Sequence, residues 1–360
     1  DDNFLKSQTL RQKAKNTDTV QPLFLHPRDI DLSAPHLFWA APPDAALTDS
    51  LAALGQVTPA LVIETDGRPI LAAGSRRAAA LREIKGRSLC ALALPEADPD
   101  APAHPLSPDG GPLPLPLRLG LIYLASNLGR AVTDAMAVAA GRYFAPLAGA
   151  DGFLALAGPQ LFAPDDRRGR LVARWLALPP ALDDLLASGH VPLGAGERLA
   201  ALAPDDLAAF MPLLAAVRWS RGSLSAALTF LTEAARLAGE TPAATLTRSG
   251  LLDLPGRGLS PNDLTAGLLA GLRRLRYPAV TTLEARFTAL SRELSRGSRV
   301  KIRPSQGFES DSATFEVTVK NRQELSKAAA DLAAMAVAPA LPKLLSVAKD
   351  DPEDEPGENP

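Results

Sequence analysis

Proline decides how this chain can be divided. Its 33 prolines gather in stretches too dense for a helix, because each fixes φ and removes a backbone donor. Asp98–Pro116 (DPDAPAHPLSPDGGPLPLP) reads as a linker. A second linker is expected over 241–262, which holds Pro242, Gly250, Pro255, Gly256, Gly258 and Pro261. From Ala338 onward five prolines precede or join an acidic end, so 338–360 reads as a disordered tail. Three blocks remain, 21–97, 117–240 and 263–337, behind an arm over 1–20. A chain of 360 residues is expected to hold roughly two to three domains.

Composition narrows the chemistry. One cysteine and four histidines exclude a disulfide framework and a zinc module built on several cysteines. No carboxylates cluster with histidine in the manner of a metal-dependent hydrolase. Leu113–Leu128 is the most apolar stretch, but Pro114, Pro116 and Arg118 interrupt it and it is too short to span a bilayer. Asn3–Thr19 is polar and basic and holds no signal-peptide core. A cytoplasmic protein with no membrane partner is the expectation.

The net charge of −2 hides an uneven distribution. Leu5–Asn16 carries Lys6, Arg11, Lys13 and Lys15 and no acid. Leu268–Arg303 carries nine bases against two acids, while Lys349–Pro360 carries one base and six acids. Basic segments beside an acidic tail point to a nucleic-acid partner.

Periodicity gives the elements. In the first block, Leu47, Leu51 and Leu54 mark a helix over Asp44–Leu54 that Gly55 stops. Pro59–Glu64 and Arg68–Ala73 read as strands joined by an Asp66-Gly67 turn. Gly74 breaks the second strand, Ser75–Lys85 reads as a helix closed by Gly86, and Ser88–Leu94 as a third strand. The second block is a run of short helices, including Leu154–Phe162 and an Arg-rich Asp165–Leu176, which suits a helix-turn-helix domain. The third reads helix–strand–strand–helix: Thr281–Leu294, Arg299–Arg303, Thr314–Lys320 and Gln323–Ala336. Phe315, Val317 and Val319 are expected inward, as are Leu325, Ala329 and Leu332 of the closing helix. Arg299, Lys301 and Arg303 share the opposite strand face and would meet DNA phosphates. So small a core is naturally completed by a second copy, so a homodimer through this block is expected.

Gly74-Ser75-Arg76-Arg77 carries the most chemistry. A helix start offers free N–H groups and a positive dipole end, and two guanidinium groups follow at once.

The surrounding pattern resembles a known family. Leu51-x-x-Leu54-Gly55-Gln56-x-x-Pro59-x-x-Val62, then Asp66-Gly67, then Ile70-x-Ala72-Ala73-Gly74-Ser75-Arg76-Arg77-x-x-Ala80 is similar to the N-terminal domain of ParB-like partition proteins, a ParB/sulfiredoxin-like fold. Ser126-Asn127-Leu128-Gly129-Arg130 resembles that family's Glu-Asn-x-Gln-Arg box. Arg174–Pro179 and Leu185–Gly194 resemble the segment after its helix-turn-helix. The resemblance covers about residues 21–205 and implies an α+β multidomain protein: a small ParB-like nucleotide-binding domain, an all-α DNA-binding domain and a C-terminal dimerisation domain.

It also implies a clamp on double-stranded DNA, gated by CTP with magnesium, acting in chromosome or plasmid segregation at the nucleoid. The nucleotide would lie against Gly55, Gly74, Ser75, Arg76, Arg77, Asn127 and Arg130. DNA would meet Arg167, Arg168, Arg170 and Arg174, and a ParA-like ATPase the basic arm. The chain departs from the pattern where Ser75 and Ser126 replace glutamate and Gly129 replaces glutamine. Residues 33–43 also lack the family's Asn-Pro-x-Gln-Pro-Arg run. Serine supplies no carboxylate to hold a metal or orient water, so CTPase activity is expected to be weak at most. The alternative is a ParB-fold transcription regulator or interaction module without nucleotide control. Sulfiredoxin chemistry needs a cysteine beside the phosphate loop, and Cys90 is a strand away.

Overall fold

The computed structural model describes residues 22–86, 88–95, 111–305, 308 and 310–349. The basic arm, most of the first linker and the end of the acidic tail lie outside these residues. The described chain is mixed α+β and divides into two compact units. The first runs to Ala203 and includes Arg218–Arg221; the second holds Pro204–Val217 and the chain from Gly222 onward.

The first unit opens with a four-stranded sheet, β1 Pro22–Leu25, β2 Ala60–Thr65, β3 Arg68–Ala73 and β4 Leu89–Leu94, in the order β1-β4-β2-β3. β2 and β3 form a hairpin, β2 and β4 run parallel, and β1 lies antiparallel to β4. The hairpin turn is as the sequence requires: Asp66 and Gly67 both take positive φ, 51° and 70°, which matches the twist of the flanking strands. Three strands were expected here; β1 is the fourth. It is four residues long and its Phe24 is 73% exposed, so no buried alternation announces it.

Helix α1, Ala45–Leu54, is capped by the Asp44 carboxylate on the Leu47 N–H at 2.9 Å and stopped at Gly55, φ 72°. Helix α2, Ser75–Glu83, packs against β2 and β4. Its left-handed terminator is Lys85, φ 55°, and not Gly86. Gly86 is needed for space, since a Cβ there would lie 2.8 Å from Leu81 Cδ2. Helix α3, Leu115–Ala125, starts within the expected linker and covers the other sheet face, where Leu119 packs with Ile63 and Ala72.

The helical part follows: α4 Asp134–Leu156, capped by Thr133 and turned at Gly149, then α5 Gly158–Leu161, α6 Arg168–Trp175, α7 Ala181–Ala187 and α8 Gly196–Ala200. The expected Leu154–Phe162 helix is broken at Ala157, and Pro159 starts a fresh turn in α5. The expected Asp165–Leu176 helix begins three residues late, because the Asp166 carboxylate takes the Arg168 N–H at 2.8 Å. Gly169 inside α6 lets it close on its neighbours: a Cβ would lie 3.2 Å from Leu154 Cδ2 and 3.3 Å from Phe162 Cδ2.

The second unit holds α9 Pro204–Ala216, α10 Arg221–Ala238 from its second residue on, α11 Pro242–Ser249, α12 Pro261–Arg276, α13 Pro278–Leu294, strands β5 Lys301–Pro304 and β6 Ala313–Glu316, α14 Arg322–Ala336 and α15 Ala340–Leu345. The expected linker over 241–262 is folded. Thr241 caps α11, the Asp206 carboxylate takes the Ala243 N–H at 2.9 Å, and Thr245 and Leu246 are fully buried. Pro242 and Pro261 stand at helix starts, Pro255 lies within the 3-10 helix Leu251–Arg257, and Gly250 and Gly258 take positive φ at helix ends. They are punctuation, not flexibility. The expected tail is likewise ordered to residue 349: Ala340, Leu344 and Val347 bury against Phe287 and Leu294.

β6 stops four residues short of the expected Lys320, and Val319 is 38% exposed. Helix α14 buries Ala328 and Met335, one residue out of phase with the expected stripe, so Leu325 is 57% and Leu332 39% exposed. These two leucines and Ala329 line one uncovered face, at i, i+4 and i+7.

Candidate functional site

Gly74 ends β3 with φ 105°, a conformation side chains avoid. A Cβ there would also lie 2.9 Å from the Ala60 Cβ and 3.2 Å from Arg77 Nη2. The bare glycine thus lets β3 turn into α2 beneath the Arg77 guanidinium. The N-cap residue is Gly74, with no side chain to cap α2, so the first-turn N–H groups of Ser75–Arg77 meet no side-chain cap among the described residues.

The two arginines differ. Arg76 Nη2 pairs with Asp44 Oδ2 at 2.7 Å, while its Nε is buried with no partner. The Asp44 carboxyl is held below its usual range by the Leu47 N–H first and by Arg76 second. Arg77 donates from Nη1 to the Thr58 carbonyl at 2.8 Å and has no carboxylate partner among the described residues. It is half-buried, and burial pulls its pKa down. Thr58 O also accepts Gln56 Nε2 at 3.0 Å, so the 55–58 loop is drawn against Arg77. Gln56 is a residue the sequence reading passed over. Its amide takes the Cys90 N–H at 2.9 Å and donates to the Cys90 carbonyl at 2.6 Å, extending the sheet as a strand would.

α3 closes the site. Ser75 is buried, and its hydroxyl bonds the Tyr123 hydroxyl, whose oxygen also accepts the Trp39 backbone N–H. Burial raises the Tyr123 pKa, and the charge of exposed Arg130 acts against that shift. Asn127 is spent locally: Nδ2 donates to Tyr123 O at 2.8 Å and to Ser126 Oγ at 3.1 Å. The structure therefore brings Gly74, Ser75 and Arg77 together with Tyr123 and Arg130, and engages Arg76 and Asn127 elsewhere.

Segment 33–43 forms an anchor. His36 Nε2 bonds the Leu71 carbonyl at 2.7 Å, Trp39 Nε1 donates to Met136 O at 2.7 Å, and Phe38 stacks edge-on to Tyr123 at 5.1 Å. The anchor ties the sheet and α3 to the first turn of α4.

These residues fit a phosphate group: a helix start with no side-chain cap, its dipole, and a half-buried cation lacking an acid among the described residues. They do not fit a divalent ion held by the protein. Serines stand at 75 and 126, Asp44 is committed to Arg76, and no group of three His, Cys, Asp or Glu comes together among the described residues.

Arg167 at the N-cap of α6 and Arg170 and Arg174 within it fall at i, i+3 and i+7 and are exposed. Arg174 meets Glu197. Arg168 faces inward: Nε donates to Asp134 Oδ1 at 3.0 Å, Nη2 to Val132 O at 3.0 Å, and its guanidinium lies 5.9 Å from the Phe162 ring centroid. In the second unit Arg299 pairs with Glu324 at 3.3 Å and Arg303 with Glu316 at 2.8 Å. Lys301 alone of those three carries no ion pair among the described residues.

A scan of family models and a search of curated proteins both find no match to this chain.

Proposed function

We propose that the chain is a ParB-like DNA-binding protein that binds a nucleotide, CTP, at Gly74–Arg77 and duplex DNA through α6, acting in chromosome or plasmid segregation at the nucleoid. The observation that carries the reading is the uncapped start of α2 beneath a half-buried Arg77 that lacks a carboxylate. A triphosphate would supply the missing counter-charge, with Gly55, Ser75 and Arg130 around it and any magnesium held by the phosphates. Bound CTP would present phosphoanhydride bonds, but with Ser75 and Ser126 the chain has nothing at these positions to orient a water. Binding without appreciable turnover is the expected behaviour. Calorimetric titration with CTP and magnesium, with and without duplex DNA, tests the reading.

A second reading is favoured by Arg76 and Asn127, whose Nη2 and Nδ2 are already engaged within the protein, by Asp44 and by Tyr123 O with Ser126 Oγ. In it the chain is a ParB-fold regulator that grips DNA with no nucleotide. Failure to bind CTP at millimolar concentration, with DNA binding intact, selects it.

The proposal includes a homodimer, for which the uncovered face of α14 is the natural contact. Burying Leu325 and Leu332 across a two-fold axis would contribute about 1.5–3 kcal/mol for each side chain fully buried. Light scattering of the full chain is expected to give twice the monomer mass, and Leu332→Asp to give the monomer. A wild-type monomer at tens of micromolar would rule the contact out. A ParA-like ATPase at the basic arm completes the proposed partners.

A further inference from the structure

Residues Arg218–Arg221 belong to the first unit although the chain on either side of them belongs to the second. Trp219 holds them there. It is 4% exposed, and its backbone N–H donates to the His190 carbonyl at 2.8 Å. A buried indole fixes a short segment firmly, because it removes a large apolar area from water. Arg218 and Arg221 flank it, both exposed and without an ion pair among the described residues.

The place of Arg221 is defined by glycine. A Cβ on Gly194 would lie 3.5 Å from both Cδ and Nε of Arg221, so the arginine stem runs across bare backbone. Gly194 sits in the 3-10 turn Leu193–Ala195 that leads into α8. α8 in turn seats Gly196 against Trp175, where a Cβ would lie 3.2 Å from the ring carbon Cε3. Arg221 therefore stands beside the C-terminal end of α6. The acid of that neighbourhood, Glu197 of α8, is already taken by Arg174.

A helix laid into the major groove reads base edges with its N-terminal residues. The exposed arginines from 167 to 174 span about 10 Å at 1.5 Å per residue, close to the groove width of about 12 Å. Cations just beyond the C-terminal end then meet the phosphate wall, not the bases. An arginine whose stem is already packed loses little freedom when it binds phosphate.

We infer that Arg218 and Arg221 form a phosphate clamp for duplex DNA that lies outside the helix-turn-helix and extends the α6 surface. The inference rests on the reading of α6 as a DNA-binding helix.

The test is the salt dependence of duplex binding by the full chain, followed by fluorescence anisotropy with a mixed-sequence duplex. Each phosphate neutralised contributes about 0.9 to the log–log slope. Arg218→Ala with Arg221→Ala is expected to flatten the slope by about 1.8, with affinity about tenfold or more weaker near physiological salt. Arg218→Lys with Arg221→Lys should keep the slope, because a point charge still releases a counterion; a folding defect would not be rescued in this way. Arg68→Ala, at the exposed end of the β2–β3 turn, should leave it unchanged. An unchanged slope in the double alanine variant overturns the clamp while leaving α6 as the DNA helix. No binding by the wild-type chain overturns both.

Discussion

Asp183→Ala is expected to lower the melting temperature of the first unit by roughly 6–12 °C. Asp183 lies in the first turn of α7 and gathers three donors. Oδ2 accepts Arg142 Nε at 2.9 Å, while Oδ1 accepts Arg142 Nη2 at 3.1 Å and Trp175 Nε1 at 2.8 Å. Arg142 then reaches the end of α6, donating to the Leu176 and Leu178 carbonyls, each at 2.8 Å. One carboxylate thus fixes the arginine that closes α6 and the fully buried indole of Trp175. Alanine would leave that indole N–H without a partner and the guanidinium without a counter-charge. The ion pair is only 24% and 28% exposed, so water compensates little. The loss is about 3 kcal/mol, the scale of an unsatisfied buried donor plus charged hydrogen bonds. At two to four degrees per kcal/mol for a unit of this size, that gives the stated shift. Asp184→Ala removes an exposed carboxylate from the same turn and should move the melt by about 2 °C or less. Circular dichroism melts decide; an Asp183→Ala shift as small as the Asp184→Ala shift would show that the carboxylate does not hold α6.

Local signals were legible and distant ones were not. The β2–β3 hairpin, both its edges and the Gly74 break follow from Asp66-Gly67 and from alternation within a dozen residues. β1 is invisible because its partner, β4, is more than sixty residues away and Phe24 faces solvent. The region 241–262 misleads because proline at a helix start and glycine at its end look, in sequence, like a linker. Helix α14 shows a different failure. Its periodicity fixes the helix, but it carries apolar residues on two adjacent faces, and the leucines lie on the one left open. At the site, Gly74–Arg77 is contiguous and could be read. Tyr123, Trp39 and Gln56 reach it from separate segments, and Arg142 has no local mark separating it from a surface arginine. Nor could sequence show that Arg76, Asn127 and Arg168 are engaged within the protein, since that depends on Asp44, Tyr123 and Asp134.

Arg77→Ala is expected to weaken CTP binding by roughly ten- to a hundredfold while leaving the melting temperature unchanged or slightly higher. The two effects have one cause. Burial disfavours the charged guanidinium and lowers its pKa, and among the described residues the Thr58 carbonyl is the one acceptor that offsets that cost. Alanine removes an uncompensated charge, so the unliganded fold loses one hydrogen bond and is relieved of the burial. A bound phosphate changes the balance, because its oxygens would accept from Arg77 at short range with little water between them. A charged hydrogen bond of this kind contributes about 1.5–3 kcal/mol, which converts to the stated range. Arg76→Ala serves as the contrast: its Nη2 is already held by Asp44, so its removal should weaken nucleotide binding less. Affinity for duplex DNA measured without nucleotide should be the same in all three proteins, since both arginines sit on α2 and not on α6. Equal CTP affinity in wild type and Arg77→Ala would move the phosphate away from α2. No binding to the wild-type chain, with DNA binding retained, would leave Arg77 a structural cation and the protein a DNA-binding regulator without a nucleotide.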